Sequence, residues 1–162
     1  MHQFFLSLGS NMGDRDANLK QAIRFIHSEI GAVSGQSDVY ETEPWGNTEQ
    51  DAFLNQIIIV ASELPPADAL HHILAIEEKM GRKRLLRWGP RLIDIDILLC
   101  DDLVIDSPGL IIPHPEMHKR RFILEPIAQL SPYKIHPVLK KSMADLYNNL
   151  SDPLTVQKRK LN

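Results

Sequence analysis

The chain predicts an α+β fold, an antiparallel sheet with helices packed on it, and three observations carry that expectation. Stretches with a period of two alternate along the chain with stretches at the helical period. Gly or Pro marks most of the changes between them. Two consecutive strand-like stretches in the middle are joined by a loop rich in breakers, which suits an antiparallel pair.

The elements follow in order. "QFFLSLGS" alternates and breaks at Gly9, giving a first strand; "SNMGDRD" is a loop. Leu19, Ala22, Ile23, Ile26 and Ile30 then recur at helical spacing until Gly31 stops the helix. "AVSGQSDVYET" predicts a second strand and "AFLNQIIIVASE" a third, separated by "EPWGNTEQD". "LPPADALHHILAIEEKMG" opens on prolines, carries Leu70, Ile73, Leu74, Glu77 and Met80 at helical spacing, and ends at Gly81. A fourth strand starts near Leu92. The order β-α-β-β-α-β is the split unit of ferredoxin-like folds. Beyond it lies a C-terminal extension. There "DLVIDS" is expected to pair back on the end of the fourth strand, and "PEMHKRRFILEPIAQLSP" and "SMADLYNNL" predict short helices. Residues 1–162 are expected to form one domain, without repeats or linkers.

Composition excludes several classes. Hydrophobic residues at 43% and charged residues at 24% exclude a disordered or collagen-like chain. Cys100 is the one cysteine, so no intramolecular disulfide or thiolate zinc cage can form, and a reducing compartment fits. The opening "MHQFFLSLGSN" lacks the basic start of a leader, and no stretch has the roughly 18 apolar residues of a membrane span. A cytoplasmic protein is expected, with no membrane partner. A formal charge of −3, from 18 Lys and Arg against 21 Asp and Glu, offers no general affinity for nucleic acid.

The chemistry concentrates in "RWGPRLIDIDILL", residues 87–99. Period two puts Ile93, Ile95 and Ile97 on one face of the strand and Asp94 and Asp96 on the other, together with Leu92 and Leu98. Same-face neighbours lie roughly 6 to 7 Å apart, where two carboxylates repel by about 3 kcal/mol at an effective dielectric near 20. Polar residues facing water and a site for a hard divalent cation both fit the pair. Asp is depleted in strands, which favours the second. Residues 82–91, "RKRLLRWGPR", add five basic residues and no acid. That run fits either a solvated surface or a clamp for phosphate oxygens. His71 and His72 point in different directions on a helix and are a weak zinc signal. Neither a P-loop nor a dinucleotide-binding glycine motif is present. "SLGSN" with Gly13 reads equally as a turn and as a ligand contact.

Together "RWGPRLIDIDILL", "PHPEMHKRRFILEPI" from Pro113, "LGSN" from Leu8 and "FLNQ" from Phe53 resemble the 6-hydroxymethyl-7,8-dihydropterin pyrophosphokinases of folate biosynthesis. The resemblance covers most of the chain up to about Lys140. It implies transfer of the terminal pyrophosphoryl group of ATP to the pterin's hydroxymethyl group, with AMP as the other product, by a monomer using two Mg²⁺ ions. Asp94 and Asp96 match the metal ligands. Arg82 and Arg91 match arginines that close over the triphosphate and assist the chemical step. Glu77, Arg84, Arg87, Trp88, Ile97, His114 and Arg120 match or adjoin ATP-binding positions. Phe53 and Phe122 match the aromatic pair around the pterin ring. Asn55 matches the amide on the ring edge, and Thr42 and Trp45 line the same slot. Leu92 stands where the family commonly has Thr, and Phe53 where some members have Tyr.

Two other readings use the same residues. A metal-dependent phosphodiesterase or nuclease could activate water between the aspartates and arginines. A non-catalytic ferredoxin-like ligand sensor would show no metal dependence.

Overall fold

The computed structural model describes residues 1–42, 51–81, 92–152 and 156–159. Trp45 lies outside these, as do Arg82, Arg84, Arg87, Trp88 and Arg91.

The central element is β1 (His2–Ser10), which is buried from Phe4 onward because it has a neighbour on each side. β4 (Phe53–Ser62) pairs with it antiparallel over nine residues, from His2 opposite Ser62 to Ser10 opposite Leu54. β5 (Asp94–Cys100) pairs with its other edge, also antiparallel. The expected second strand is present in two pieces, β2 (Ala32–Gln36) and β3 (Tyr40–Thr42), both pairing with β4. Ser37 makes the break: its hydroxyl and its backbone N–H both bond the backbone of Ile57. β8 (Val156–Lys158) then adds to the free edge of β3, giving the path β5-β1-β4-β3-β8.

Helix α1 (Arg15–Glu29) is capped by Asp14, whose carboxylate accepts the Ala17 N–H at 3.1 Å, and it buries Leu19, Ala22 and Ile26. Gly31 serves as more than a stop. A Cβ there would come within 2.1 Å of the Ala61 carbonyl, so only glycine lets the chain pass this close to β4. Helix α2 (Pro66–Lys79) has prolines at its start, as expected, and Gly81 follows it at φ +90°. Its buried stripe is Ala69, Ile73, Ile76 and Glu77. Leu74, expected on that stripe, is exposed, because Ile76 takes the inward position.

The two faces of the sheet are covered differently. Phe4, Leu6 and Leu8 of β1 meet Ile58 and Val60 of β4 and Ile95 and Ile97 of β5 under α1 and α2. Phe5, Ile57, Leu98 and Leu99 face the opposite side, packed against α3 (Arg121–Leu130) and α4 (Met143–Asn148). Helices therefore lie on both faces, whereas the expected ferredoxin-like unit carries them on one. Leu98 and Leu99 share a face because the pairing shifts register there: Phe5 is opposite Leu99 and Leu6 opposite Ile97, leaving Leu98 as an extra residue.

"DLVIDS" does not pair with β5. Its strand β6 (Ile105–Ser107) forms its own hairpin with β7 (Leu110–Ile112), closed by Pro108 and Gly109 with Gly109 at φ +82°. Asp101, at φ +50°, turns the chain away first, its carboxylate accepting the Gln3 N–H and the His2 ring.

Candidate active site

The side chains of interest gather on the face opposite α1 and α2, at the end of the sheet where β1 finishes. Asp94 lies opposite Gly9, and Gly9 lies opposite Asn55, so the three form one row across β5, β1 and β4. One step inward, Asp96, Ser7 and Ile57 make the next row. Asp94 and Asp96 are each half-buried and share a face, as the alternation predicts. Leu92 departs from it. It precedes the strand and packs with the apolar cluster under α1 and α2.

On β4, Asn55 is buried and donates from Nδ2 to the Thr42 hydroxyl at 2.9 Å; Thr42 lies opposite Phe53 in the β3 ladder. That bond fixes the amide and directs Asn55 Oδ1 toward Gly9. A Cβ on Gly9 would lie 3.3 Å from Asn55 Oδ1 and 3.7 Å from Phe53 Cδ1. Gly9 is buried and puts no side chain between Asp94 and the amide and ring, a placement that sequence reading did not single out. A glycine inside an otherwise apolar strand, which often marks a close approach of another group to the backbone, was the signal available.

His114 reaches the site from the segment after β7. Its backbone N–H donates to the Leu98 carbonyl at 2.9 Å, and Pro113 before it is joined by a cis peptide bond. The Glu116 N–H donates to His114 Nδ1 at 3.1 Å, so in the neutral ring Nε2 carries the proton. Burial, helped by the Arg120 charge, pushes its pKa below the ordinary histidine range, with Glu116 and Asp94 opposing. Arg120 lies 5.7 Å above the Phe122 ring, and Phe122 packs half-buried on the α3 cluster.

Glu77 is 3% exposed, not a helix residue open to water, and its Oε2 accepts the Ile95 N–H at 2.8 Å. Among the described residues β5 is the last strand on this side of the sheet, so this bond uses an N–H on the edge away from β1. Ile97, two residues along, has its side chain in the core and offers a ligand only its backbone.

Asp94 and Asp96 supply hard oxygen donors side by side, the donor chemistry Mg²⁺ takes when waters and phosphate oxygens complete its shell. Elsewhere among the described residues, His2, Cys100 and Asp101 come close enough to share an ion. Burial pushes the Cys100 thiol up to about 11, and Asp101 is already engaged by the His2 ring and the Gln3 N–H.

Comparison with known proteins identifies the family. A model of the 7,8-dihydro-6-hydroxymethylpterin-pyrophosphokinase (HPPK) family matches residues 5–132. The chain is 41% identical over 127 residues to the 2-amino-4-hydroxy-6-hydroxymethyldihydropteridine pyrophosphokinase of Bacillus subtilis, covering 78% of this chain and 76% of that protein. It is 39% identical over 145 residues to the enzyme of the same name from Aquifex aeolicus, covering 90% of each. Among solved structures, wild-type Plasmodium falciparum HPPK-DHPS superposes with a TM-score of 0.75 at 19% identity over 91% of this chain. This chain spans 43% of that longer one, and the likeness speaks to the fold. On the family match and the two enzymes from Bacillus subtilis and Aquifex aeolicus, the chain belongs to the 7,8-dihydro-6-hydroxymethylpterin-pyrophosphokinase family.

Proposed function

We propose that the row of Asp94, Gly9 and Asn55 is where this chain performs the reaction its family is named for. The chain is a pyrophosphokinase of folate biosynthesis, moving a diphosphoryl group from ATP to 6-hydroxymethyl-7,8-dihydropterin. The pterin hydroxyl oxygen attacks the β phosphorus, the bond from that phosphorus to its bridge with the α phosphate breaks, and AMP leaves with the electron pair. The hydroxyl proton passes to water.

One observation carries the assignment: the Asp94 carboxylate and the Asn55 amide lie in one row with a glycine between them, and Asp96 shares the face of Asp94 in the next row. Adjacent strands are about 4.8 Å apart, so the two substrates can meet over Gly9 within roughly 10 Å of sheet. Asp94 and Asp96 would hold Mg²⁺, two ions being proposed on the family resemblance. Bound there, Mg²⁺ neutralises phosphate charge and orients the triphosphate. Phe53 and Phe122 hold the pterin ring between them. Asn55, fixed by Thr42, meets the donors and acceptors on its edge, and Trp45 completes the slot. On the ATP side His114 and Arg120 contact phosphate oxygens, and Ile97 offers its backbone to the adenine. Glu77 orders that edge through Ile95. Arg84, Arg87 and Trp88 add charge and cover, while Arg82 and Arg91 stabilise charge that develops during transfer. Alanine at Arg82 or Arg91 should therefore lower kcat more than it weakens binding.

We also infer a ferredoxin-like sheet with a C-terminal extension, forming a single domain over residues 1–162. The strand path supports this, because β8 of the extension joins the same sheet. A cytoplasmic monomer without nucleic-acid or membrane partners fits the net charge of −3 and the single cysteine. Among the described residues no helix is long and apolar enough to cross a membrane.

The test is one assay with ATP, Mg²⁺ and the hydroxymethyl pterin, with nucleotides resolved. AMP should form in step with pterin consumption. ADP, or pyrophosphate released without pterin, defeats the reading.

A further inference from the structure

Arg15 opens α1, and its Nη1 alone makes two bonds: to Glu41 Oε1 at 3.0 Å and to the Ala52 carbonyl at 2.7 Å. Glu41 sits in β3 immediately before Thr42, and Ala52 immediately precedes Phe53 at the start of β4. One guanidinium nitrogen therefore ties together the two chain segments that present Thr42 on one side and Phe53 and Asn55 on the other. The opposite side of Glu41 is held as well. Its Oε2 lies 3.6 Å from Arg159 Nη1, and Arg159 Nη2 donates to Asp16 Oδ2 at 2.9 Å. The Arg159 backbone N–H donates to the Val39 carbonyl at 2.7 Å, continuing the β3–β8 ladder.

We propose that Arg15 is a positioning residue for the pterin subsite, acting through Glu41 and Ala52, and that Arg159 braces it from β8. The inference rests on the reading of Thr42, Phe53 and Asn55 as that subsite. Among the described residues the ladder between β3 and β4 has three residue pairs, Tyr40–Asn55, Glu41–Leu54 and Thr42–Phe53. The Thr42–Asn55 bond that orients the amide joins the same two segments that Arg15 ties. A stacking slot is sensitive to ångström-scale shifts, so a tie across its two walls acts on ring affinity directly. The four charged side chains are between 22% and 45% exposed. Ion pairs of that exposure add little to global stability, which separates the proposed role from a structural one.

The experiment measures two dissociation constants by calorimetry, for a non-transferable ATP analogue with Mg²⁺ and then for the hydroxymethyl pterin at saturating analogue. Arg15→Ala should weaken pterin binding about fivefold to twentyfold and leave the ATP analogue within about twofold, with Tm nearly unchanged. Arg15→Lys should recover most of the loss, since one ammonium can reach both acceptors. Arg159→Ala, which leaves both Arg15 bonds in place, should weaken pterin binding by a smaller factor. Asn55→Ala is the control on the subsite itself. If Asn55→Ala weakens pterin binding while Arg15→Ala does not, the positioning role is wrong and the subsite stands. If Asn55→Ala has no effect, the subsite reading falls and takes this inference with it. Loss of both ligands together with a lowered Tm in Arg15→Ala makes the residue structural and overturns the proposal.

Discussion

Asn55 and Asp94 flank Gly9 from opposite sides, in one row across three adjacent strands. The carboxylate that suits a metal and the amide that suits a heterocycle edge are thereby separated by one residue without a side chain. A methyl group at position 9 would stand 3.3 Å from Asn55 Oδ1, tight enough to push the amide aside by a few tenths of an ångström. Gly9→Ala should therefore fold with a modest loss of stability, on the order of 1 kcal/mol from overpacking. Its kcat/KM should fall by about a hundredfold, because in the proposed site the methyl would lie between the two substrates. Steady-state kinetics beside a thermal melt checks this, and near-normal turnover would remove Gly9 from the site.

The two aspartates make a second prediction. Asp94→Ala and Asp96→Ala should fold normally and lose Mg²⁺-dependent turnover by several orders of magnitude, since each removes a proposed metal ligand. Circular dichroism and an AMP-release assay across Mg²⁺ concentrations separate the two effects. Turnover close to that of the parent in either variant would exclude that residue as a ligand.

How much of this was readable beforehand depended on distance along the chain. The alternation through Ile93–Ile97 is local, and it put Asp94 and Asp96 on one face before any partner strand was known. Helix α1 was equally legible from the apolar repeat of Leu19, Ala22 and Ile26. What could not be read were the facts set by remote partners. Leu92 looked like a strand residue because period two carries no signal of where pairing begins. Helical spacing put Glu77 on the stripe of α2 but could not show its partner, the Ile95 N–H, which is 18 residues away on another strand. The hairpin of β6 and β7 was missed because the turn at Asp101, tied to β1 through Gln3, redirects the chain. Gly9 acquires its meaning only once β4 and β5 lie on either side of it.

Phe122 provides the test of ring stacking. Phe122→Ala should weaken pterin binding by about 1 to 3 kcal/mol through lost burial and stacking. The ring also supports Arg120 at 5.7 Å, so a small loss for ATP is expected as well. Calorimetric affinities for both ligands decide it. An equal loss for the two would make Phe122 a packing residue of the α3 cluster.

Glu77 separates support of the edge strand from charge. In Glu77→Ala the Ile95 N–H loses its acceptor beneath α2, which should cost about 1 to 3 kcal/mol. Glu77→Gln keeps an oxygen in reach and should lose less than half as much. Urea unfolding measures both. If the edge of β5 serves ATP, affinity for an ATP analogue should fall in the same order, alanine more than glutamine. Equal urea midpoints for parent and alanine variant would show that the bond contributes nothing.

His136 sets a pH dependence outside the site. It is 4% exposed, and its Nδ1 accepts the N–H groups of Val138 at 3.2 Å and Leu139 at 3.1 Å, closing the turn before α4. Burial, with the neighbouring His118 second, holds its pKa below the ordinary histidine range. The folded state therefore takes up this proton less readily than the unfolded chain. The stabilisation is fully present above the unfolded value near 6.5 and is lost as pH falls from there through the lowered folded value. An asparagine can supply a neutral oxygen to the same two N–H groups without titrating in this range. His136→Asn should thus flatten the decline in stability between about pH 6.5 and 5 relative to the parent, while changing little at pH 8. Urea midpoints for both proteins across that range measure the difference, and parallel profiles would show that His136 is not the group responsible.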